Sequence, residues 1–380
     1  MTPITALGIF AASCASGLML VAPALASPAV LAAPPIVPAA PPIVPMSAMT
    51  VQDAPAQPTE PGASDAVRGD EITPQSRQAV DRGLEWLATR QQADGGFGGG
   101  GTAFTAIAAI AFMSSGSLPN RGPYGENVAR AVQYVIDNAQ PSGLLCQQNA
   151  GGLMYHHGFA TLLLGEVYGM TGDENVKEPL QRAVRLIQKS QHPLGGWRYQ
   201  PAPTDHDISV TICQVMGLRA ARDGGIKVEK AVIDKAVEYV QRCQNNDGGF
   251  SYRLGQGQHS QFARSAAGVA TLYYAGINEG ETIDNGLAYV NDFLPSNDMR
   301  RREPHYYYGH YYAAQAMFLA GGDSWEKWFP AIRDSLVAEQ QNAGNWTGEQ
   351  GDEYCTAMAL IILQMPNRYL PVFSGKGAEA

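Results

Sequence analysis

Gln191-His192-Pro193-Leu194-Gly195-Gly196-Trp197 separates one helical segment from the next, and three other stretches repeat its form. They are Gln91-Gln92-Ala93-Asp94-Gly95-Gly96-Phe97, Gln244-Asn245-Asn246-Asp247-Gly248-Gly249-Phe250 and Gln340-Gln341-Asn342-Ala343-Gly344-Asn345-Trp346. Each reads Gln, three residues, Gly, then Gly or Asn, then Phe or Trp. Self-similarity of this kind marks a chain built from stacked supersecondary units. The aromatic positions 97, 197, 250 and 346 are separated by 100, 53 and 96 residues. Each long gap holds a doubled unit with a degenerate member inside it. Gln140-Pro141-Ser142-Gly143 and Pro295-Ser296-Asn297 stand where those members belong. The count is therefore six units.

Working outward, every unit has the same grammar. An amphipathic segment precedes each loop, at residues 78–90, 127–138, 178–190, 229–243, 283–293 and 325–340. In Ala231-Val232, Ala236-Val237 and Tyr239-Val240 the apolar residues follow a 3.6 period, with charged residues between them. A second, far less polar segment follows each loop, at residues 103–113, 158–170, 208–221, 262–275, 306–320 and 354–365. Helices that are apolar nearly all round are buried helices. Twelve helices thus alternate outer and inner, and neighbouring units must bury the inner set against one another. The all-α architecture expected is a closed α/α toroid of six hairpins, a double α-barrel. An open solenoid would need polar end repeats, and the last inner segment, Met358-Ala359-Leu360-Ile361-Ile362-Leu363, is not polar. The Gln loop itself reads as structural: Gly ends the outer helix and allows positive φ, and the aromatic plugs the gap between layers.

Composition narrows the function. The charged share is 16%, against roughly 25% in an average globular chain, while 45% of residues are hydrophobic. That excludes wholesale disorder. The net charge of -9, with no dense basic block beyond Arg300-Arg301-Arg302, argues against nucleic acid as a partner. Residues 7–23 are apolar and lead into Ala24-Leu25-Ala26, so residues 1–26 read as a secretory signal peptide, with an uncleaved apolar anchor as the alternative. Cys14 lies inside that apolar run and does not mark a lipidation site. Residues 27–74 are rich in Pro and Ala and are expected to be an extended tether. The toroid is expected over residues 75–371, with 372–380 as a tail and no membrane span after the signal. Export to the periplasm, the cell envelope or the medium follows from that leader. The remaining cysteines, Cys146, Cys213, Cys243 and Cys355, are expected to be mostly buried thiols, with one disulfide left open as an option.

The Gln-x-x-x-Gly-Gly-Phe/Trp repeats resemble the QW-type repeats of squalene–hopene cyclases and of protein prenyltransferase β subunits. More narrowly, Met154-Tyr155-His156-His157-Gly158-Phe159-Ala160-Thr161, His305-Tyr306-Tyr307-Tyr308-Gly309-His310-Tyr311-Tyr312 and Asn367-Arg368-Tyr369-Leu370-Pro371 are similar to an exported bacterial group of prenyltransferase/squalene-oxidase-repeat proteins. The resemblance implies a double α/α barrel with isoprenoid substrates in a central cavity. The family's catalytic patterns are incomplete here. Asp205-His206-Asp207-Ile208 matches the first and third positions of the cyclase Asp-x-Asp-Asp motif, with Ile208 in the fourth. The prenyltransferase zinc pattern needs Asp, a Cys two residues on and a distant His. Asp352 and Cys355 are three apart and no His follows. No Asp-Asp-x-x-Asp motif is present. Neither a metal nor a cofactor is expected.

Parallel inner helices would bring their N-termini to one mouth. His156, His157, His206, His259 and His305 fall at or just before inner-helix starts, and His310 lies about a turn further in. Asp205, Asp207, Asp352, Tyr155, Tyr308, Tyr312 and Tyr354 join them there, and six helix dipoles would favour anions. Asp205, Asp207 and His206 are the catalytic candidates. Tyr155, His156, His157, Glu166, His305, Tyr308, His310, Tyr312, Asp352 and Tyr354 are the ligand-binding candidates. Asp207, Asp352 and Ser260 also read as helix N-caps. Glu166, in an apolar helix, either faces the shaft or pairs with a buried donor. Three functions follow: a toroid that binds a hydrophobic, isoprenoid-like ligand or an envelope protein, a cyclase using Asp205 or Asp207 as general acid, and a polysaccharide-lyase relative using Tyr155, His156 and Arg302.

Overall fold

The computed structural model describes residues 71–147, 149–295 and 304–373. The leader, nearly all of the Pro/Ala tract and Arg300-Arg301-Arg302 lie outside these residues, as do Cys14 and most of the tail. Among the described residues there are twelve α-helices and no strand. The outer helices are α1 (Pro74–Thr89), α3 (Gly125–Asp137), α5 (Glu174–Ser190), α7 (Lys230–Arg242), α9 (Glu281–Asn291) and α11 (Gly322–Glu339). The inner helices are α2 (Gly101–Met113), α4 (Leu153–Thr171), α6 (Ile208–Asp223), α8 (Phe262–Tyr274), α10 (Tyr306–Ala320) and α12 (Asp352–Gln364).

The ring closes. Inner helix α2 packs on α4, α4 on α6, α6 on α8, α8 on α10, α10 on α12, and α12 returns to α2. Small residues set the closest approach, between α4 and α6. A Cβ on Gly165 would stand 2.8 Å from the Ala220 side chain.

The Gln loops fasten unit to unit. The Gln340 side-chain amide donates to Gly344 O of its own loop (2.8 Å) and to Ala79 O of α1 (2.7 Å). Gln91, Gln191 and Gln244 make the same pair of bonds, each reaching the first turns of the next outer helix through Asn127 O, Val232 O and Thr282 O. The Gln340 bond therefore joins the last unit to the first. Gly344 has φ +100°, and a Cβ there would stand 2.6 Å from Arg82 O, so glycine is required by both backbone and space. The aromatic residue is locked from both sides. Trp346 N–H donates to Thr356 Oγ1 (3.0 Å) and its indole N–H to Leu336 O (2.8 Å). The loop is structural, as its residues imply.

Helix α1 starts at a capping box, in which Thr73 Oγ1 accepts the Ser76 N–H (3.1 Å) and Pro74 opens the helix. Helix α4 starts at Leu153, five residues before the expected 158. Gly152, in the left-handed region with φ 67°, turns the chain into it. After α12 the chain crosses the far ends of the inner helices as a strap. Asn367 donates to Ser114 O (3.2 Å), and Leu370, Val372 and Phe373 are buried. The four cysteines beyond the leader are buried free thiols, so the disulfide left open by the sequence is not formed.

Candidate functional site

The mouth, where all the Gln loops and inner-helix N-termini lie, holds one connected polar cluster. Asp207 is the N-cap of α6 and is fully buried. Its Oδ1 accepts the Val210 N–H (2.8 Å) and its Oδ2 accepts the Tyr252 hydroxyl (3.1 Å). Tyr252 Oη lies 2.6 Å from Tyr199 Oη. The Arg198 Nε stands 3.6 Å from Asp207 Oδ2. Burial pushes the Asp207 carboxyl up to about 7, against the opposing pull of the Val210 N–H, the Tyr252 hydroxyl and the Arg198 charge.

Asp205 behaves in the opposite way. It is more exposed and forms ion pairs with Arg198 and with Arg253 (3.0 Å), and its Oδ1 accepts the His206 N–H (2.9 Å). Its partial burial works upward, but those partners prevail and hold the carboxyl below its ordinary range. Of the two acids, only Asp207 carries a proton near neutral pH. His206 is buried beside Tyr239, its Nδ1 3.1 Å from the phenol oxygen. Burial, helped by the neighbouring His192, lowers its basicity.

The residues that organise this cluster, Arg198, Tyr199, Tyr252 and Arg253, are missing from the candidates the sequence nominates. A signal was there. Tyr stands two residues after the motif aromatic in Trp197-Arg198-Tyr199 and in Phe250-Ser251-Tyr252. Tyr199 O accepts the Met154 N–H of α4 (3.1 Å), and Tyr252 O accepts the Ile208 N–H of α6 (3.0 Å). Each such loop caps the inner helix of the preceding unit. This corrects the expectation of an anion-attracting mouth at these helices. Donors of α4 and α6 are taken by those carbonyls and by Asp207, and the Ala103 N–H of α2 by His156 Nδ1 (3.2 Å).

Most of the histidines belong to the scaffold. Because α4 begins early, His156 and His157 lie within its first turns. His157 Nδ1 accepts the Leu145 N–H (3.2 Å) and its Nε2 stands 3.2 Å from Ala183 O. It thus fills, in unit two, the place that Thr105, Thr211, Ser265 and Thr356 fill in other units by accepting the aromatic residue's N–H. Burial lowers His157 to about 4 and His310 to about 3. His310 is enclosed by Phe262, Tyr306 and Trp328 (ring centroids 4.8, 4.4 and 5.7 Å away), and neither ring nitrogen has a hydrogen-bond partner. His259 and His305 are exposed, and His305 enters α10 in the left-handed region.

Two N-cap assignments also change. Gln261 precedes α8, while Ser260 bonds Asp247 instead. Gly351 precedes α12, so Asp352 is its first residue and accepts from Asn345 Nδ2 (3.1 Å). Glu166 is not at the mouth. It lies deep at the far end of α4, accepting the strap's Val372 N–H (3.4 Å), and burial pushes it up to about 8.

The interior of the shaft is bridged. Helices α4 and α10 stand on opposite walls of the ring, yet the Phe159 and Tyr311 rings are 6.4 Å apart. From the same helix Tyr308 donates to Ser209 O of α6 (2.9 Å), and Tyr312 Oη lies 3.3 Å from Cys213 Sγ. Tyr354 packs on Phe104 (5.1 Å). Phe104, Tyr155, Tyr199, Tyr252 and Tyr308, all near this end of the ring, are half-buried. Among the described residues no group of three or more His, Cys, Asp or Glu could hold a metal ion.

Comparison with known proteins agrees with this architecture. The squalene-hopene cyclase C-terminal domain matches residues 159–298, and the prenyltransferase alpha-alpha toroid domain matches residues 70–144. These matches, with the closed ring of hairpins, put the chain in the squalene–hopene cyclase and protein prenyltransferase superfamily. No curated protein sequence is significantly similar. Among solved structures, the type II terpene cyclase MstE from Scytonema, in complex with its substrate geranylgeranyl dihydroxybenzoate, superposes with a TM-score of 0.52 at 14% identity. That match covers 78% of this chain and 98% of the cyclase. The GH76A alpha-1,6-mannanase of Salegentibacter superposes with a TM-score of 0.58 at 10% identity, covering 77% and 99%. At such identities the likeness is one of fold. No helix among the described residues is long and apolar enough to cross a membrane.

Proposed function

We propose that the mouth of this toroid binds a hydrophobic, isoprenoid-like ligand by one end, without the family's standard catalytic chemistry, in an exported protein. The observation that carries this reading is Asp207. It is a buried carboxyl whose hold on its proton burial raises to about 7, tied to Tyr252 and Tyr199 at the end of the ring where half-buried aromatic side chains gather. Tyr252 gives its proton to Asp207 and shares a bond with Tyr199, so the Tyr199 oxygen, at the end of this chain, is left to accept from a ligand's polar end. Phe104, Tyr155 and Tyr308 supply the apolar wall. Export rests on residues 1–26 as a leader.

The cyclase reading keeps one supporting observation, the raised Asp207, since a general acid must hold its proton at working pH. Against it, Asp205 is committed to two arginines and Ile208 stands where the motif has its last Asp. One experiment separates the two. The protein is purified, its retained lipids are identified by mass spectrometry, and it is incubated with squalene. Bound isoprenoid without conversion supports a binding role. A cyclic product lost in Asp207→Asn would establish the cyclase instead. The lyase reading loses its histidine, because His156 is buried and holds the Ala103 N–H. Its Arg302 lies outside the described residues.

A further inference from the structure

We infer that a proton on Asp207 reverses the hydrogen bonds running through Tyr252 and Tyr199, so that the mouth suits a ligand end that accepts when Asp207 is protonated and one that donates when Asp207 is ionised. The choice of ligand end rests on the mouth being a hydrophobic-ligand site, whereas the reversal is a property of the unliganded chain.

Three oxygens stand in line. Asp207 Oδ2 lies 3.1 Å from Tyr252 Oη, which lies 2.6 Å from Tyr199 Oη. Each of these contacts has room for one proton. With the carboxylate ionised, Tyr252 donates to Oδ2, Tyr199 donates to Tyr252, and a lone pair of Tyr199 is left for a donor. A proton arriving on the carboxyl has one place to go. Oδ1 faces the Val210 N–H (2.8 Å), and the Arg198 Nε beside Oδ2 (3.6 Å) can only donate. The proton therefore sits on Oδ2 and points at Tyr252. Tyr252 then turns its own proton to Tyr199, and Tyr199 turns its proton outward. No phenol is deprotonated; only the direction of donation changes. The Arg198 guanidinium lies over both rings, 4.9 Å and 5.8 Å from their centroids, and keeps its charge in either state.

The reversal falls near neutral pH, because burial brings the Asp207 carboxyl to about 7. Its neighbours do not titrate with it. The partners of Asp205 hold that carboxyl below its ordinary range, and burial lowers His206. Burial raises Tyr155, Cys213, Tyr239, Cys243, Tyr252 and Tyr308, the other groups near enough to feel the Asp207 charge.

The test has two arms. In the first, infrared difference spectra of the unliganded protein are taken between about pH 6 and about pH 8. They should show a protonated carboxyl that is absent from Asp207→Asn, and with it a shift of the phenol bands that Tyr252→Phe abolishes. The second arm titrates farnesol, whose hydroxyl both donates and accepts, and farnesyl methyl ether, which only accepts. One hydrogen bond is worth about fivefold in affinity, so the parent should bind the ether at least about threefold more tightly at the lower pH, and farnesol within about twofold at both. In Asp207→Asn, checked for folding by thermal melt, the amide oxygen keeps the Val210 N–H and the amide nitrogen takes the place of Oδ2, donating to Tyr252 at every pH. Its affinity for the ether should be the same at both pH values and should match the parent's at the lower one.

Phenol bands that stay fixed while the carboxyl titrates would overturn the reversal, whatever the ligands do. An ether affinity that does not change with pH, or a pH dependence that survives in Asp207→Asn, would overturn the choice of ligand end. Phenol bands that shift in a protein that binds neither compound would overturn the hydrophobic-ligand reading and leave the reversal standing.

Discussion

Asp207 and His310 are buried titratable groups whose proton affinities move in opposite directions. Asp207 is raised from the ordinary carboxylate value to about 7, so the folded chain holds this proton more tightly than the unfolded one. Its stabilising share is complete below about pH 4 and is lost as pH rises to about 7, on the order of 4 kcal/mol at most. Asn in its place keeps an N-cap acceptor. Asp207→Asn should therefore flatten the fall in melting temperature between pH 4 and 7, and an unchanged slope would contradict the assignment. Glu166, raised to about 8, adds a fall of the same sign that remains in the variant. His310 is lowered to about 3, so its share is present above about pH 6.5 and is lost on acidification. With both nitrogens unpartnered among three aromatic rings, His310→Phe should gain about 1–3 kcal/mol, most visibly at pH 5, in urea unfolding. A loss of stability would show that the imidazole has a polar role. The sequence made Asp207 legible as cap and acid together. It could not separate Asp207 from Asp205, because what divides them is the burial of Asp207 and the pairing of Asp205 with Arg198 of its own loop and with Arg253 of the next one.

At the scale of single elements, the Gln loop is where local sequence and tertiary packing agree. Its Gly-Gly-aromatic end was readable because backbone, space and burial all demand it. Gly344→Ala should cost more than about 2 kcal/mol, since the residue combines φ +100° with a 2.6 Å approach to Arg82 O. Gly99→Ala, with nothing within 4 Å of its Cβ, should lie within about 0.5 kcal/mol of the parent in the same denaturation series. Equal costs would refute the loop's role as a docking surface for the next outer helix. Helix periods were equally readable, but the start of α4 was not. Nothing in Leu153-Met154-Tyr155 announces a helix, and its cap is Tyr199 O, 45 residues onward. That hidden turn moved His156 and His157 from the opening into the scaffold.

For the molecule as a whole, the decisive bond is the one across the seam. Gln340→Ala removes the amide that joins the last unit to α1, at a cost of about 1–3 kcal/mol. Hydrogen exchange should then speed up in α1 and α12 before α4 and α6, whose packing is untouched. Uniform acceleration would mean that the ring opens elsewhere. Six units could be counted from spacing alone, and with them the closed ring. The bridged shaft could not, because Tyr311 and Phe159 meet only through ring closure, 152 residues apart (311 less 159).

The seam has a practical side as well. Thr73, which caps α1, and Phe373, which ends the strap, both sit at the end of the toroid away from the opening. Coupled to a sensor chip through a residue placed beside either point, the described toroid would turn its opposite end, with the Asp207 cluster, toward the solution.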